Sequence, residues 1–398
     1  MKFIELKEVI DKPISGEWGS DGEGVKVIRT TNFTNEGKLE LSDVVERNIT
    51  LKKVEEKKLR KGDVIIEKSG GGPKQPVGRV VFFDEEGEYL CNNFTSVLRP
   101  KTELISPKFL LYVLFANHKF GYTNAFQNKT TGIINLQLKR YVSETKIPLP
   151  PLEEQKRIAA ILDAADLYRQ KTKALIAKYD ELTQSLFLEM FGDPVTNPKG
   201  WEVVLMSEVC NKVTDGTHDT PQRISSGVKF ITGKHIRPFK IDYINSDYVE
   251  ESVHEDIYKR CNPEYGDVLY TNIGANLGTA ALNIVNYEFS MKNVALLKPI
   301  KGIIDGRYIE YLLNSRNMKE KIVWMASLGG AQQFLSLSQL RRLKINNPPL
   351  NLQNQFAERV QAIEQQKAQA QESLAKAEDL FNSLLQRAFK GELSKEIV

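Results

Sequence analysis

Cysteine is scarce in this 398-residue chain: Cys91, Cys210 and Cys261 lie far apart, are odd in number and include no CxxC pair. That excludes a disulfide scaffold and the common zinc modules, and it suits the reducing cytoplasm where the protein is expected to work. Long apolar runs are missing too. No uncharged stretch approaches the roughly 18 residues that cross a bilayer, so no membrane partner is expected. The opening MKFIELKEVIDK alternates charge with apolar residues and lacks the core of a signal peptide. The four histidines (His118, His218, His235 and His254) form no HxxxH or HExxH pair, and no metal site is expected. There is no GxxxxGK[ST] phosphate loop, so the chain is not expected to use ATP. What is present, 41% hydrophobic and 27% charged residues, describes a folded protein too long for one ordinary core.

An internal repeat organises the chain at an offset near 200 residues. LKEVIDKPISG (Leu6 to Gly16) aligns without a gap with MSEVCNKVTDG (Met206 to Gly216). Lys61-Gly62-Asp63-Val64 matches Tyr265-Gly266-Asp267-Val268, Leu98-Arg99-Pro100 matches Leu297-Lys298-Pro299, and PKFLLYVL matches GRYIEYLL. Each copy closes on a Pro-Pro-Leu, at Pro150 and Pro348, and the spacing from Gln155 to Phe191 equals that from Gln353 to Phe389, 36 residues. The expected domains are residues 1–147, a helical tail 148–198, residues 199–345 and a second tail 346–398. Short apolar runs bounded by Gly, Asn and Pro (DVIIEKS, GRVVFFD, GDVLYTNI, NVALLKP) predict strands in both globular parts. One amphipathic helix is expected in each, near Pro107–Ala116 and Gly306–Asn314.

Both tails predict long helices. Neither contains glycine between its Pro-Pro pair and a terminating Gly192 or Gly391, and proline in the first turn costs a helix nothing. Ile158, Ile161, Ala165, Tyr168, Thr172, Leu175, Tyr179, Leu182 and Leu186 follow a 3-4 alternation. Phe356, Val360, Ile363, Lys367, Ala370, Leu374, Ala377, Phe381 and Leu384 follow a 4-3 alternation, with Lys367 the polar exception. Such seams pair helices, whereas a helix packed on its own domain shows a wider stripe. The expected fold is therefore α+β: two mixed α/β domains joined by two long helices in an antiparallel coiled coil, with pseudo-two-fold symmetry.

Charge is unevenly spread. Residues 1–147 hold 24 basic and 20 acidic side chains and residues 199–345 hold 19 and 16, while both tails are net acidic. Residues 117–147 and their counterpart 316–345 carry net +4 and +5. A solvated basic face explains one such run; the same excess in both repeats favours an anionic partner, and duplex DNA is the obvious one. Side chains able to read bases or hold phosphates lie among these charges. In the first half the candidates are Arg29, Thr31, Asn32, Lys68, Ser69, Lys74, Gln75, Lys129, Thr130, Thr131 and Asn135. In the second they are His218, Lys234, His235, Arg237, Asn272, Asn276, Gln332 and Gln333. The glycine-rich loop Ser69 to Gln75 leaves room for a phosphate against the backbone, but it also fits a plain hairpin turn.

No catalytic residue is assigned. Asn347-Pro348-Pro349-Leu350 resembles the N/D-P-P-aromatic loop that holds a target base in amino-methyltransferases. It lacks the aromatic, its repeat partner Leu149-Pro150-Pro151-Leu152 lacks the asparagine, and helix initiation accounts for both. The absence of any Pro-Asp dipeptide counts against the commonest restriction-nuclease motif.

Two mixed domains, each followed by a helix entered through IPLPPLEEQKRIAAILD (Ile147 to Asp163) or INNPPLNLQNQFAERV (Ile345 to Val360), resemble the specificity subunits of type I restriction-modification systems. The Gly-Asp-Val pairs, Trp201 at the start of the second copy, and EKSGGGPKQPVGRV, which is similar to one recurrent type of target-recognition domain, extend the resemblance over essentially the whole chain. The second tail departs from it, with Asn351-Leu352-Gln353 in place of an acidic-Glu-Gln run. The resemblance implies that each domain reads one half of a bipartite, asymmetric DNA site. It implies that the helices set the gap and dock two methyltransferase (modification) subunits, through which restriction (translocase-nuclease) subunits join. S-adenosylmethionine, ATP and magnesium would then belong to those partners, and this chain would bind no cofactor. The alternatives are the recognition subunit of another multi-subunit restriction enzyme and a coiled-coil scaffold that binds no DNA.

Overall fold

The computed structural model describes residues 2–72, 75–130, 133–274, 276–327, 334–390 and 392–393. The chain divides into two compact units, one formed by residues 1–173 with 372–398 and the other by residues 174–371.

Both units carry the same sheet frame. In the first, an antiparallel sheet runs in the order Ile14–Ser15, Thr95–Leu98, Val64–Glu67, Val80–Phe82. In the second the order is Cys210–Asp215, Ala295–Pro299, Val268–Thr271, Thr279–Leu282. Their central strands, VIIE and VLYT, are buried at every position, which is why their first three residues are apolar or aromatic without alternation. Beside each lies a three-stranded sheet with one parallel pair: Ser20–Ile28 with Tyr89–Cys91 in the first unit, Val228–Thr232 with Ser290–Lys292 in the second. A short ladder ties each unit's start to the strand before its long helix, Phe3–Glu5 to Lys146–Pro148 and Val203–Leu205 to Lys344–Asn346. The units differ at one edge. The first adds a sheet of Gln127–Thr130, Ile133–Leu136 and Ser69–Gly71, and the second has a small hairpin, Ile236–Arg237 with Lys240–Ile241.

The repeated residues turn out to hold the frame. A Cβ added at Gly16 would lie 2.0 Å from Asn92 O, and one at Gly216 would lie 2.0 Å from Met291 O, so backbone passes where a side chain cannot fit. The buried Asp63 carboxylate accepts from Arg60 N (2.7 Å) and pairs with Arg99 (2.8 Å). Asp267 does the same with Glu264 N (2.8 Å) and Lys298 (2.7 Å). Gln155 and Gln353 are completely buried. The Oε1 of Gln155 accepts from Ser106 N (2.8 Å), at the start of helix Pro107–Lys119, while its Nε2 donates to Leu104 O (3.0 Å) and Pro150 O (2.9 Å). Gln353 likewise accepts from Asp305 N (2.9 Å), at the start of helix Gly306–Asn314, and donates to Pro348 O (2.7 Å).

The long helices are Leu152–Phe191 and Leu350–Lys390. Gly192, at φ +76°, ends the first by donating its amide to Leu188 O. In the first unit the early part of the first helix meets the late part of the second: Arg169 stacks over Phe381 (4.5 Å) and Lys173 pairs with Glu378 (3.3 Å). In the second unit the late part of the first helix meets the early part of the second, where Phe187 and Phe191 pack on Phe356 (5.6 and 5.3 Å) and Lys367 pairs with Asp180. The pair is antiparallel, as the repeat implies.

Its seam is partly displaced from the expected one. Phe356, Val360 and Phe381 are buried and Ile363, Leu374 and Leu384 half-buried, as the spacing predicts. On the first helix Ile158 is buried and Ile161, Ala165, Tyr179 and Leu186 are half-buried, but Tyr168, Leu175 and Leu182 are 55%, 43% and 49% exposed. The buried line keeps Thr172 of the expected seam but otherwise runs through Leu162, Asp166, Arg169 and Thr183. These polar residues bond to one another or to their own helix: Arg169 Nη2 donates to Asp166 (2.5 Å) while its Nε has no hydrogen-bond partner among the described residues, Thr172 donates to Tyr168 O (2.9 Å) and Thr183 to Asp180 O (3.0 Å). A spacing rule that favours apolar residues passes over Asp166, Arg169 and Thr183.

Candidate nucleic-acid interface

In the second unit an open groove of about 400 Å³ is lined by Arg223, Thr232, Gly233, Lys234, Asp247, Ile273, Lys292 and Asn293, of which Lys234 alone is a sequence candidate. Three cations and a single carboxylate line it. Asp247 is paired by Lys234 (2.9 Å) and Arg223 (2.8 Å), which hold its carboxyl below the usual range although partial burial pushes the other way. Lys292 hydrogen-bonds Thr220 Oγ1. At one end His218 is exposed, its Nε2 3.0 Å from Asp215 and its Nδ1 2.9 Å from Asn293 Oδ1. Asn293 holds φ +51°, which a short amide side chain tolerates. The exposed Asn276 donates to Gly233 O (3.2 Å) and fixes the adjacent loop. Arg237 is exposed but outside the groove lining.

In the first unit the candidates converge on the added sheet. Asn135 stands opposite Asn128 on one side and Ser69 on the other. Ser69 Oγ donates to Asn135 Oδ1 (2.5 Å), and Gln137 Nε2 donates to Asn128 Oδ1. Lys68, just before the strand, is half-buried and donates to Ser15 Oγ (2.6 Å); burial lowers its pKa. Thr31 and Gln75 are exposed, and Gly72 and Gln75 exchange backbone hydrogen bonds at 3.0 Å. Lys74, Thr131, Gln332 and Gln333 lie outside the described residues, as do the side chains of Lys129 and Thr130.

Four candidates are committed to the fold. Asn32 is 2% exposed; its Oδ1 accepts from Arg29 N (2.9 Å) and its Nδ2 donates to Glu40 O and Asp43 O (3.0 Å each). Arg29 is held by the Asp43 carboxylate (2.8 Å). His235 occupies the same place in the second unit, buried, with Nδ1 accepting from Thr232 N (2.9 Å). Desolvation lowers its pKa. Thr232–His235 is thus the counterpart of Arg29–Asn32, one acceptor side chain closing a 3-10 turn in each repeat. Asn272 is buried and donates to Leu335 O (3.0 Å). None of Asn32, His235 or Asn272 faces a ligand, because their polar atoms serve backbone inside the protein or are themselves buried.

The sequence reading missed Arg223, Lys292 and Asn293. Nothing in local composition marks Arg223, which meets Lys234 through Asp247 across 24 residues of chain. Part of the basic excess also proves structural: Lys119 lies over Phe115 and Phe381, and Arg341 donates to Val213 O (2.7 Å). Among the described residues no group of three His, Cys, Asp or Glu side chains could hold a metal ion, and no helix is long and apolar enough to cross a membrane.

Comparison with known proteins gives one consistent result. Residues 1–180 and 198–378 each match the family described as "Type I restriction modification DNA specificity domain". The chain is 25% identical over 378 residues to the type I restriction enzyme MjaIX specificity subunit of Methanocaldococcus jannaschii, covering 88% of this chain and 83% of that one. It is 23% identical over 399 residues to the EcoKI specificity subunit of Escherichia coli K12, with 93% and 82% covered. Among solved structures, the type I restriction-modification S subunit from M. genitalium superposes with a TM-score of 0.60 at 16% identity, over 98% of this chain and 96% of that one. A chain from a structural study of assembly and conformational transition in the type I system gives 0.58 at 20% identity, over 98% of both. These superpositions match the fold.

Proposed function

Because the chain belongs to the type I restriction-modification DNA specificity family, we propose that it reads a bipartite DNA site, one half with each target-recognition domain, on behalf of a modification and restriction complex. The observation that carries this reading is the groove of the second unit, which is lined by Arg223, Lys234 and Lys292 against the single carboxylate of Asp247 and so carries a surplus of positive charge. Cations of that kind hold phosphates and position the protein, while neighbouring amides read base edges. The chain itself performs no chemistry in this reading. S-adenosylmethionine, ATP and magnesium act on the two modification subunits and on the restriction subunits they recruit, in the cytoplasm. The modification subunits dock on the outer side of the long helices, where Tyr168, Leu175 and Leu182 repeat at seven-residue spacing and stand exposed.

The test is duplex binding by the full chain as a function of salt. Lys234→Ala and Lys292→Ala should each weaken binding to all sequences about equally and reduce the slope of log affinity against log salt by about one. Duplex affinity and salt slope unchanged in the double variant would remove the groove from the interface.

A further inference from the structure

The added sheet of the first unit has a polar outer face with no known task in its fold. Ile134 and Leu136 are buried, so alternation along the strand turns Ile133 and Asn135 away from the core. Residues directly opposite in a ladder share a face, which adds Asn128 and Ser69 to that side. Ile133 is 52% exposed, an aliphatic side chain standing in a row of amides and hydroxyls.

The hydrogen bonds within this row orient it. Ser69 Oγ occupies Asn135 Oδ1, and Gln137 Nε2 occupies Asn128 Oδ1. In this arrangement both asparagines keep their NH2 groups as the donors left over. Among the described residues neither Nδ2 has a partner, and neither has Gln137 Oε1. Asn128 Nδ2 and Gln137 Oε1 together offer one donor beside one acceptor. Adenine presents the complement on its major-groove edge, the N7 acceptor beside the N6 amine, and a two-stranded ribbon fits that groove. An exposed aliphatic side chain such as Ile133 suits the thymine methyl.

We propose that this hairpin is the base-reading element of the first domain and that it reads A·T pairs, adenine through Asn128 and Gln137 with Asn135 as a further donor, and thymine through Ile133. The proposal rests on the DNA-reading function above and specifies what one half-site contains.

The experiment is selection of binding sites by the full chain from a random duplex library, repeated with a library in which deoxyuridine replaces thymine. The expected result is a two-part motif in which Asn128→Ala relaxes an A·T position of one half by about 5- to 100-fold and leaves the other half intact. Asn128→Asp, which exchanges donors for acceptors at constant shape, should move that position towards cytosine. Ile133→Ala should lose discrimination between thymine and deoxyuridine that the unaltered chain shows. A two-part motif whose A·T positions are indifferent to all three substitutions, or one in which the relaxed position is G·C, overturns the proposal. Enrichment of no motif at all defeats the DNA-reading function first, and this assignment with it.

Discussion

A buried glutamine does two things that neither glutamate nor leucine can do together: it accepts from one backbone amide and donates to a carbonyl elsewhere. Gln155 and Gln353 each use this to clamp the start of a domain helix to the Pro-Pro turn opening a long helix. Gln353→Glu keeps the acceptor but loses the donor, so Pro348 O is left unpaired beside a new charge. The expected loss is about 1–3 kcal/mol, read as a lower urea midpoint of unfolding. Glu310 offers a second test. It is fully buried, accepts from Leu282 N (2.8 Å) on an edge strand and pairs with Arg307 (2.8 Å). Burial lifts its carboxyl from 4.5 to about 7, against the pull of Arg307. Since the folded value lies above the unfolded one, this contribution to stability is complete below pH 4.5 and is lost as pH rises through about 7. Glu310→Gln should flatten stability against pH in that window, measured by denaturant unfolding at several pH values. At this scale the sequence was only half legible. Asn32, His235 and Asn272 have the chemistry of base readers, but a residue's chemistry does not say whether its hydrogen bonds are already spent on its own backbone. Ser69 and Asn135, by contrast, do meet on one sheet, although 66 residues separate them.

Helices and strands were far more readable than the contacts they make. The glycine-free tails between Pro-Pro and glycine signals mark the first long helix at the residues observed, and the apolar runs mark the central strands, because both signals are local. The seam is a property of two helices at once, and there the spacing argument erred on the first helix. Leu162 is buried and Leu175 exposed, although the expected seam contained Leu175 and omitted Leu162. Leu162→Ala should therefore cost about 2–5 kcal/mol by thermal or urea unfolding. Leu175→Ala should cost little. Changing Tyr168, Leu175 and Leu182 together to lysine should leave duplex binding by the chain unaltered and abolish co-purification with a modification subunit. Equal destabilisation by Leu162→Ala and Leu175→Ala would restore the original seam.

For the molecule as a whole, the boundary between the two units passes through both long helices, between residues 173 and 174 and between 371 and 372. Seven residues added to each helix at those points preserve the seam register and lengthen each by about 10 Å. The gap in the recognised site should then grow while both half-sites keep their sequence, which methylation mapping of the assembled complex would show. An unchanged gap in a folded, active variant would mean that the helices are not the ruler. The same division reverses the usual order of folding during synthesis. The second unit is one continuous stretch, 174–371, and can close as soon as its last helical turns emerge. The first unit is made earlier yet cannot be finished, because Phe381, Leu385, Ala388 and Leu393 belong to its core. Until those residues leave the ribosome, Tyr112, Phe115 and Leu162 have no cover from the second helix. The half that is translated first is thus completed last, and a chain released after residue 371 would carry one finished reader and one with an open, sticky flank.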